Sequence, residues 1–256
     1  MRHGFRRTTG LRVAARLVAA GLVLTACSSD DSGSAGPDDA GGASSEATED
    51  APSDAERFAE QDPAEIQQAA LAAMRATSSL RLTGTITAGG ERLSLDVRVA
   101  PSGDCTGTVG QGGGTSEFTQ VGDRGWIRPD AAFWRAVAGP RADQIIQRVG
   151  DEWVTVPPDG GSFDDICDVD PLLDELEEDG GEVSVGDLDE VGGRAAVPLT
   201  VGGDDPGTLW VAADEPHHLL LVESDAEDEP GRLRFRGFDS ELTVTPPSKD
   251  RVVDLR

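Results

Sequence analysis

From Leu80 to Val121 the sequence alternates between apolar and polar residues, and glycine or proline punctuates each run. Leu80, Leu82 and Ile86 alternate with Arg81, Thr83 and Thr85. Leu93, Leu95, Val97 and Val99 alternate with Arg92, Ser94, Asp96 and Arg98. A two-residue period sends neighbouring side chains to opposite faces of a strand, so these runs require a sheet with one covered and one wet face. Gly89-Gly90, Pro101 to Asp104, Gly112 to Gly114 and Gly122 to Gly125 supply the turns. Cys105 to Val109, Ser116 to Val121 and Trp126-Ile127 read as the following strands of an antiparallel meander.

Helical spacing takes over on either side. Asp62-Pro63-Ala64-Glu65 offers an N-cap, a proline at the first helical position and a capping-box acid. Ile66, Ala69, Ala70, Ala73 and Met74 then recur on one helical face until Ser78-Ser79. Pro129 to Ala138, Arg141 to Val149 and Phe163 to Glu178 read as three more helices, with a short strand at Trp153 to Val156. Strands return at 183–188, 195–201, 208–212, 218–223, 233–238 and 241–245. Helix, meander, helices, meander predicts one α+β domain over residues 63–256.

The first 26 residues have another character. Arg2, Arg6, Arg7, Arg12 and Arg16 precede any acid, and Val13 to Ala26 is apolar apart from Arg16, Gly21 and Thr25. This is the layout of a secretory signal peptide, too short in its apolar part for a permanent span of about 20 residues. Leu24-Thr25-Ala26-Cys27 resembles the bacterial lipobox. That resemblance implies a diacylglycerol thioether on Cys27, cleavage before it, and a palmitate-bearing anchor at the outer face of the cell membrane. An ordinary secretory signal with a stray cysteine is the alternative. Residues 28–62 hold 11 acids, one Arg and a single aromatic, Phe58. So little apolar area does not offset ordering entropy, and residues 27–62 are expected to be a lipidated cysteine on a disordered acidic tether.

After residue 26 the chain carries 17 basic and 48 acidic residues, a formal charge of −31. That excludes nucleic acid as the natural partner and disfavours adhesion to anionic lipid by charge. The only cysteines after Cys27 are Cys105 and Cys167, and a pair in an exported domain is expected to form a disulfide. Catalytic signatures are missing: there is no G-x-S-x-G, no H-E-x-x-H, and no glycine loop that opens a helix. His217 and His218 are adjacent, so in a strand they point to opposite faces; they are expected at the surface or an edge. Asp187, Asp189 and Glu190, or Asp164, Asp165 and Asp168, have calcium-compatible chemistry but not the spacing of an EF-hand loop. No enzyme, metal or cofactor is expected.

W-I-R-P-D-A-A-F-W from Trp126 to Trp134, with C-T-G at Cys105 and I-C-D-V-D at Ile166, resembles a group of actinobacterial exported lipoproteins. The group is similar in layout to the LppX/LprG glycolipid carriers and to the periplasmic lipoprotein-localisation (LolA-like) carriers. The resemblance implies a curved antiparallel sheet, a half-barrel, with helices packed across its concave face and acyl chains held between them. No lipid-contacting residue is carried over from it. From the residues themselves, Ala70, Met74, Leu93, Leu95, Val97, Phe118, Trp126, Phe133 and Trp134 are the candidate apolar lining of such a site. The same residues would equally fill a core, in which case the chain is an interaction or sensor lipoprotein presenting its surface to a protein partner.

Overall fold

The computed structural model describes residues 52–255 except 89, 157–163, 179–180, 204–205 and 228. The expected signal peptide, Cys27 and the expected tether up to residue 51 lie outside the described residues.

A first meander runs through β1 (Leu80–Ala88), β2 (Glu91–Val99), β3 (Cys105–Gln111), β4 (Gly114–Val121), β5 (Arg124–Pro129) and, after two helices, β6 (Trp153–Val156). A second runs through β7 (Val183–Val185), β8 (Asp189–Val191), β9 (Arg194–Val201), β10 (Gly207–Ala212), β11 (Leu219–Ser224) and β12 (Gly231–Arg236). β1 and β12 pair antiparallel, with Leu82 opposite Phe235, and so fuse the two meanders. Val252–Val253 (β13) joins the edge of β6 in parallel. The strand order is β13-β6-β5-β4-β3-β2-β1-β12-β11-β10-β9-β7, with β8 also on β9. This open, curled sheet with helices on one face is the half-barrel α+β fold expected from the sequence.

The alternation has the predicted physical outcome. Phe235, Leu82, Val97, Gly107, Phe118, Ile127 and Val154 stand opposite one another from strand to strand. They form one row on the inner face, apolar at every position but Gly107. Gly107 interrupts the row for a steric reason: a Cβ there would lie 2.1 Å from the Asp96 carbonyl oxygen, so β2 and β3 approach this closely only without a side chain.

α2 (Pro63–Ala76) lies on this face and buries Ile66, Ala70, Leu71 and Met74. The Asp62 carboxylate accepts from the Ala64 N–H at 2.9 Å, as the N-cap reading requires. α3 (Ala131–Ala138) and α4 (Ala142–Val149) cover the other end, where Trp134, Ala142 and Val149 pack on Val154 and Ile127. Asp130 caps α3 by accepting from Phe133 N at 2.7 Å and binds Thr115 N of β4 at 2.9 Å. The helix rests directly on β4: a Cβ on Gly114 would be 1.9 Å from Phe133 N.

Four boundaries differ from the sequence reading. The folded part begins before Pro63. Ser53-Asp54-Ala55-Glu56 is a complete capping box, with the Glu56 carboxylate accepting from Ser53 N at 2.6 Å, and it starts α1 (Asp54–Ala59). α1 brings Phe58, 4% exposed, into the central core, where it stacks on His217 at 3.7 Å. The stretch 52–62 is therefore a structured arm, not tether. The helix expected over 163–178 breaks into α5 (Asp164–Cys167) and α6 (Asp170–Glu178). Pro171 has no N–H to give to the Cys167 carbonyl, and the Asp168 carboxylate takes the Asp170 N–H at 3.0 Å instead. The strand expected over 183–188 ends at Val185 and resumes as β8. Glu241 to Thr245 is not a strand, because β1 and β11 already occupy both sides of β12 and no ladder is free beside it.

Because Phe58 belongs to the core, protein beginning at residue 52 should be more stable than protein beginning at Pro63. The loss expected is about 2 kcal/mol, the transfer free energy of one buried aromatic side chain. Urea midpoints of the two proteins check this; equal midpoints would return residues 52–62 to the tether.

Candidate functional site

The apolar opening into the sheet-helix interface lies beneath α6. Leu172 and Leu176 of α6 face Val201 of β9, Leu209 of β10 and Val222 of β11 across a pocket of about 140 Å³, with Pro206, Glu175 and Ser224 at its rim. Leu209 stands opposite Leu199 and Val222 in the sheet, which puts this wall on the inner face. α6 is fastened over it at three places. Gln67 Nε2 of α2 donates to the Leu176 carbonyl at 2.6 Å. Arg75 of α2 bridges Asp174 at 2.9 Å and Glu177 at 2.6 Å. Cys167, just ahead of α6, forms a disulfide with Cys105 of β3, their Cα atoms 5.6 Å apart.

The nine candidate lining residues do not converge on this pocket. Ala70, Met74, Leu95, Val97 and Phe118 come together in the closely packed central core. Leu93 is half-buried on the same face, opposite Ile86. Trp126 is opposite Thr119, whereas Phe118 is opposite Ile127, so Trp126 and Phe118 lie on opposite faces of the sheet. Phe133 is half-buried on α3. Trp134 belongs to the second cluster, with Ala142, Val149 and Val154, and its indole N–H has no partner among the described residues. The pocket residues Leu172, Leu176, Val201, Leu209 and Val222 carry no mark in the sequence beyond being the buried sides of a helix and three strands.

Of the two histidines expected at the surface or an edge, His218 is buried and His217 is half-buried. They occupy the β10–β11 connection, His217 at φ 64° against Phe58 and His218 stacked on Phe238 at 3.9 Å. His218 is 6% exposed. Burial pushes its imidazole below the usual range, the charge of Arg194 adds to this, and Asp239 opposes it. The sign of the stability effect follows. As pH falls through about 6.5 the unfolded chain takes up a proton that the folded ring resists, so stability falls on acidification. The slope attributable to one such group is at most about 1.4 kcal/mol per pH unit. Denaturation midpoints between pH of about 7.5 and about 5.5 should fall for the parent protein and fall less for His218→Gln; parallel profiles would remove His218 as the cause.

Among the described residues no group of three or more His, Cys, Asp or Glu is arranged to hold a metal ion. No helix among them is long and apolar enough to cross a membrane.

No protein-family model matches the chain, and no curated protein matches it in sequence. Solved structures do match. The Mycobacterium tuberculosis lipoprotein LppX is similar at 18% identity and a TM-score of 0.50, over 72% of this chain and 100% of LppX. LprF from Mycobacterium bovis is similar at 16% identity and a TM-score of 0.55, over 73% of this chain and 97% of LprF. At that identity the likeness establishes a common fold.

Proposed function

We propose that this chain is an exported lipoprotein, tethered at the outer face of the cell membrane through acyl chains on Cys27, and that its domain binds a lipid or another hydrophobic ligand beneath α6. It acts by binding and not by catalysis. The observation that carries the reading is the apolar pocket between Leu172, Leu176, Val201, Leu209 and Val222, in a fold shared with the lipoprotein LppX. The lipobox-like Leu24-Thr25-Ala26-Cys27 supports the anchor.

Volume sets the terms. Pockets for drug-sized ligands measure about 300–1,000 Å³. At about 140 Å³ this pocket admits the end of one acyl chain and no more. Each methylene buried contributes about 0.8 kcal/mol, so a longer stretch of chain would reward the lifting of α6 from β9–β11. The attachments to displace are the exposed Arg75 pairs, one Gln67 hydrogen bond and the core packing of Leu173, while the disulfide keeps the start of the helical segment in place.

A second reading, an interaction lipoprotein with a filled core, is favoured by one observation. Val97, Phe118, Met74 and Leu173 are all fully or almost fully buried and mutually packed, which leaves ligand space only at the edge of the core.

Leu172→Trp separates the two. It fills the pocket from a half-buried position, so in a ligand-binding protein it should leave folding intact and lower the lipid that co-purifies with the parent several-fold. Native mass spectrometry of both proteins from the native host reads this directly. Parent protein free of lipid would favour the filled core. Cys27→Ala should move the protein from washed membranes to the soluble or unprocessed fraction; a processed protein still retained on membranes would sink the anchor.

A further inference from the structure

The outer face of the sheet concentrates positive charge in a chain whose acids outnumber its bases by 48 to 22. Arg232, Arg234 and Arg236 alternate along β12 and so share one face, opposite the core residue Phe235. Arg236 stands opposite Arg81 of β1, which stands opposite Arg98 of β2. The acids within this patch already have partners. Asp96 is bound by Arg81, Glu223 accepts from Trp210 Nε1 at 2.9 Å and pairs with Arg232 at 3.1 Å, and Asp239 accepts from Ser78 N at 2.8 Å.

At the β9–β12 side of the patch lies a pocket of about 240 Å³. Arg194, Arg234 and Arg236 line it, and Val191, Leu220 and Phe238 form its apolar wall. None of the three arginines makes a hydrogen bond or an ion pair with a described residue, whereas Arg75, Arg81, Arg128, Arg232 and Arg251 each have a carboxylate partner. Gly192 in the β8–β9 turn leaves room for the Arg234 head: a Cβ there would come within 3.3 Å of its Nη1. Three like charges facing one cavity repel each other, and the acid whose charge reaches Arg236, Asp96, is already bound by Arg81.

We propose that this pocket is a binding site for a phosphate monoester with an apolar substituent, distinct from the pocket beneath α6. A guanidinium offers a planar fork of donors that matches phosphate oxygens two at a time. A single carboxylate would neutralise one of three charges; a phosphate monoester carries close to two and has oxygens enough for all three forks. Val191, Leu220 and Phe238 then take the substituent, which distinguishes the ligand from inorganic phosphate. An anionic membrane surface suits the site less well, because the formal charge of −31 on residues 27–256 as a whole repels it.

The test uses the purified full chain and four probes in calorimetric titration: n-hexyl phosphate, inorganic phosphate, n-hexanol, and equimolar phosphatidylcholine–phosphatidylglycerol vesicles. Hexyl phosphate should bind, inorganic phosphate more weakly, and hexanol and the vesicles not measurably. Arg234→Gln and Arg236→Gln should each weaken hexyl phosphate about tenfold or more, the loss expected for one charge-assisted hydrogen-bond donor. Arg148→Gln, at an exposed position on α4, should not change it. Thermal melts of each variant confirm that the fold is kept. Unchanged affinity in both pocket variants, or equal loss in Arg148→Gln, would overturn the site. Preferential binding of the vesicles would assign the patch to a membrane surface and overturn the small-ligand proposal. Neither result bears on lipid beneath α6, which Leu172→Trp reads separately.

Discussion

Cys105→Ala with Cys167→Ala should lower the stability of the folded domain by about 4 kcal/mol, from the loop-closure entropy of the 62-residue separation that the disulfide spans. Both cysteines are buried members of the central core, so the crosslink ties the first residue of β3 to the last residue of α5. Alanine is the right replacement. It removes the bond without leaving a hydroxyl unsatisfied in an apolar setting, as serine would. A domain of this size has about 5–15 kcal/mol in all, so the effect is a large fraction of the whole. Urea denaturation of the double variant beside the oxidised parent measures it. Coincident midpoints would mean that the denatured chain gains nothing from losing the crosslink. The disulfide also fixes the start of the helical segment that covers the pocket, so the double variant should expose α6 to protease before the sheet.

The sheet was legible in the sequence because its cause is local. Leu82, Val97, Phe118 and Ile127 sit at even spacing within their strands, and each strand is bounded by a turn that only a few residue types permit. What was not legible depends on partners distant in the chain. Glu241 to Thr245 alternates as well as β12 does, but β1 and β11 already take both sides of the strand that precedes it. Phe58 looked like a lone aromatic in an acidic segment until His217, far along the chain, supplied its stacking partner. The break at Pro171 was readable from proline chemistry and the capping box at Ser53 from its four residues, yet the composition around each outweighed the local signal. For the site the limit is sharper. Parity alone separates Trp126 from Phe118, since Trp126 and Ile127 are adjacent in β5 and only Ile127 faces Phe118. The pocket itself requires α6 to meet β9, β10 and β11, and no spacing in the sequence encodes that meeting.

Phe118→Ala should cost about 3–5 kcal/mol, the range for truncating a buried aromatic in a core that relaxes only in part. Phe118 is 1% exposed and stands between Gly107 and Ile127 in the inner row. Gly107 brings no side chain that could move into the space, and a residue larger than glycine at 107 would strike the Asp96 carbonyl. The cavity would therefore remain, and the cost should lie toward the upper part of the range. The same variant tests the sequence expectation that Phe118 lines a ligand site. If it lines one, truncation enlarges the cavity, changes the lipid that co-purifies and costs little stability. If it is core, stability falls and any lipid bound beneath α6, five strand pairings away along the sheet, is unaltered per folded molecule. The paired measurement is a urea midpoint and a native mass spectrum of the same preparation. A midpoint within error of the parent, with a shifted ligand mass, would move the binding site from α6 to the centre of the sheet.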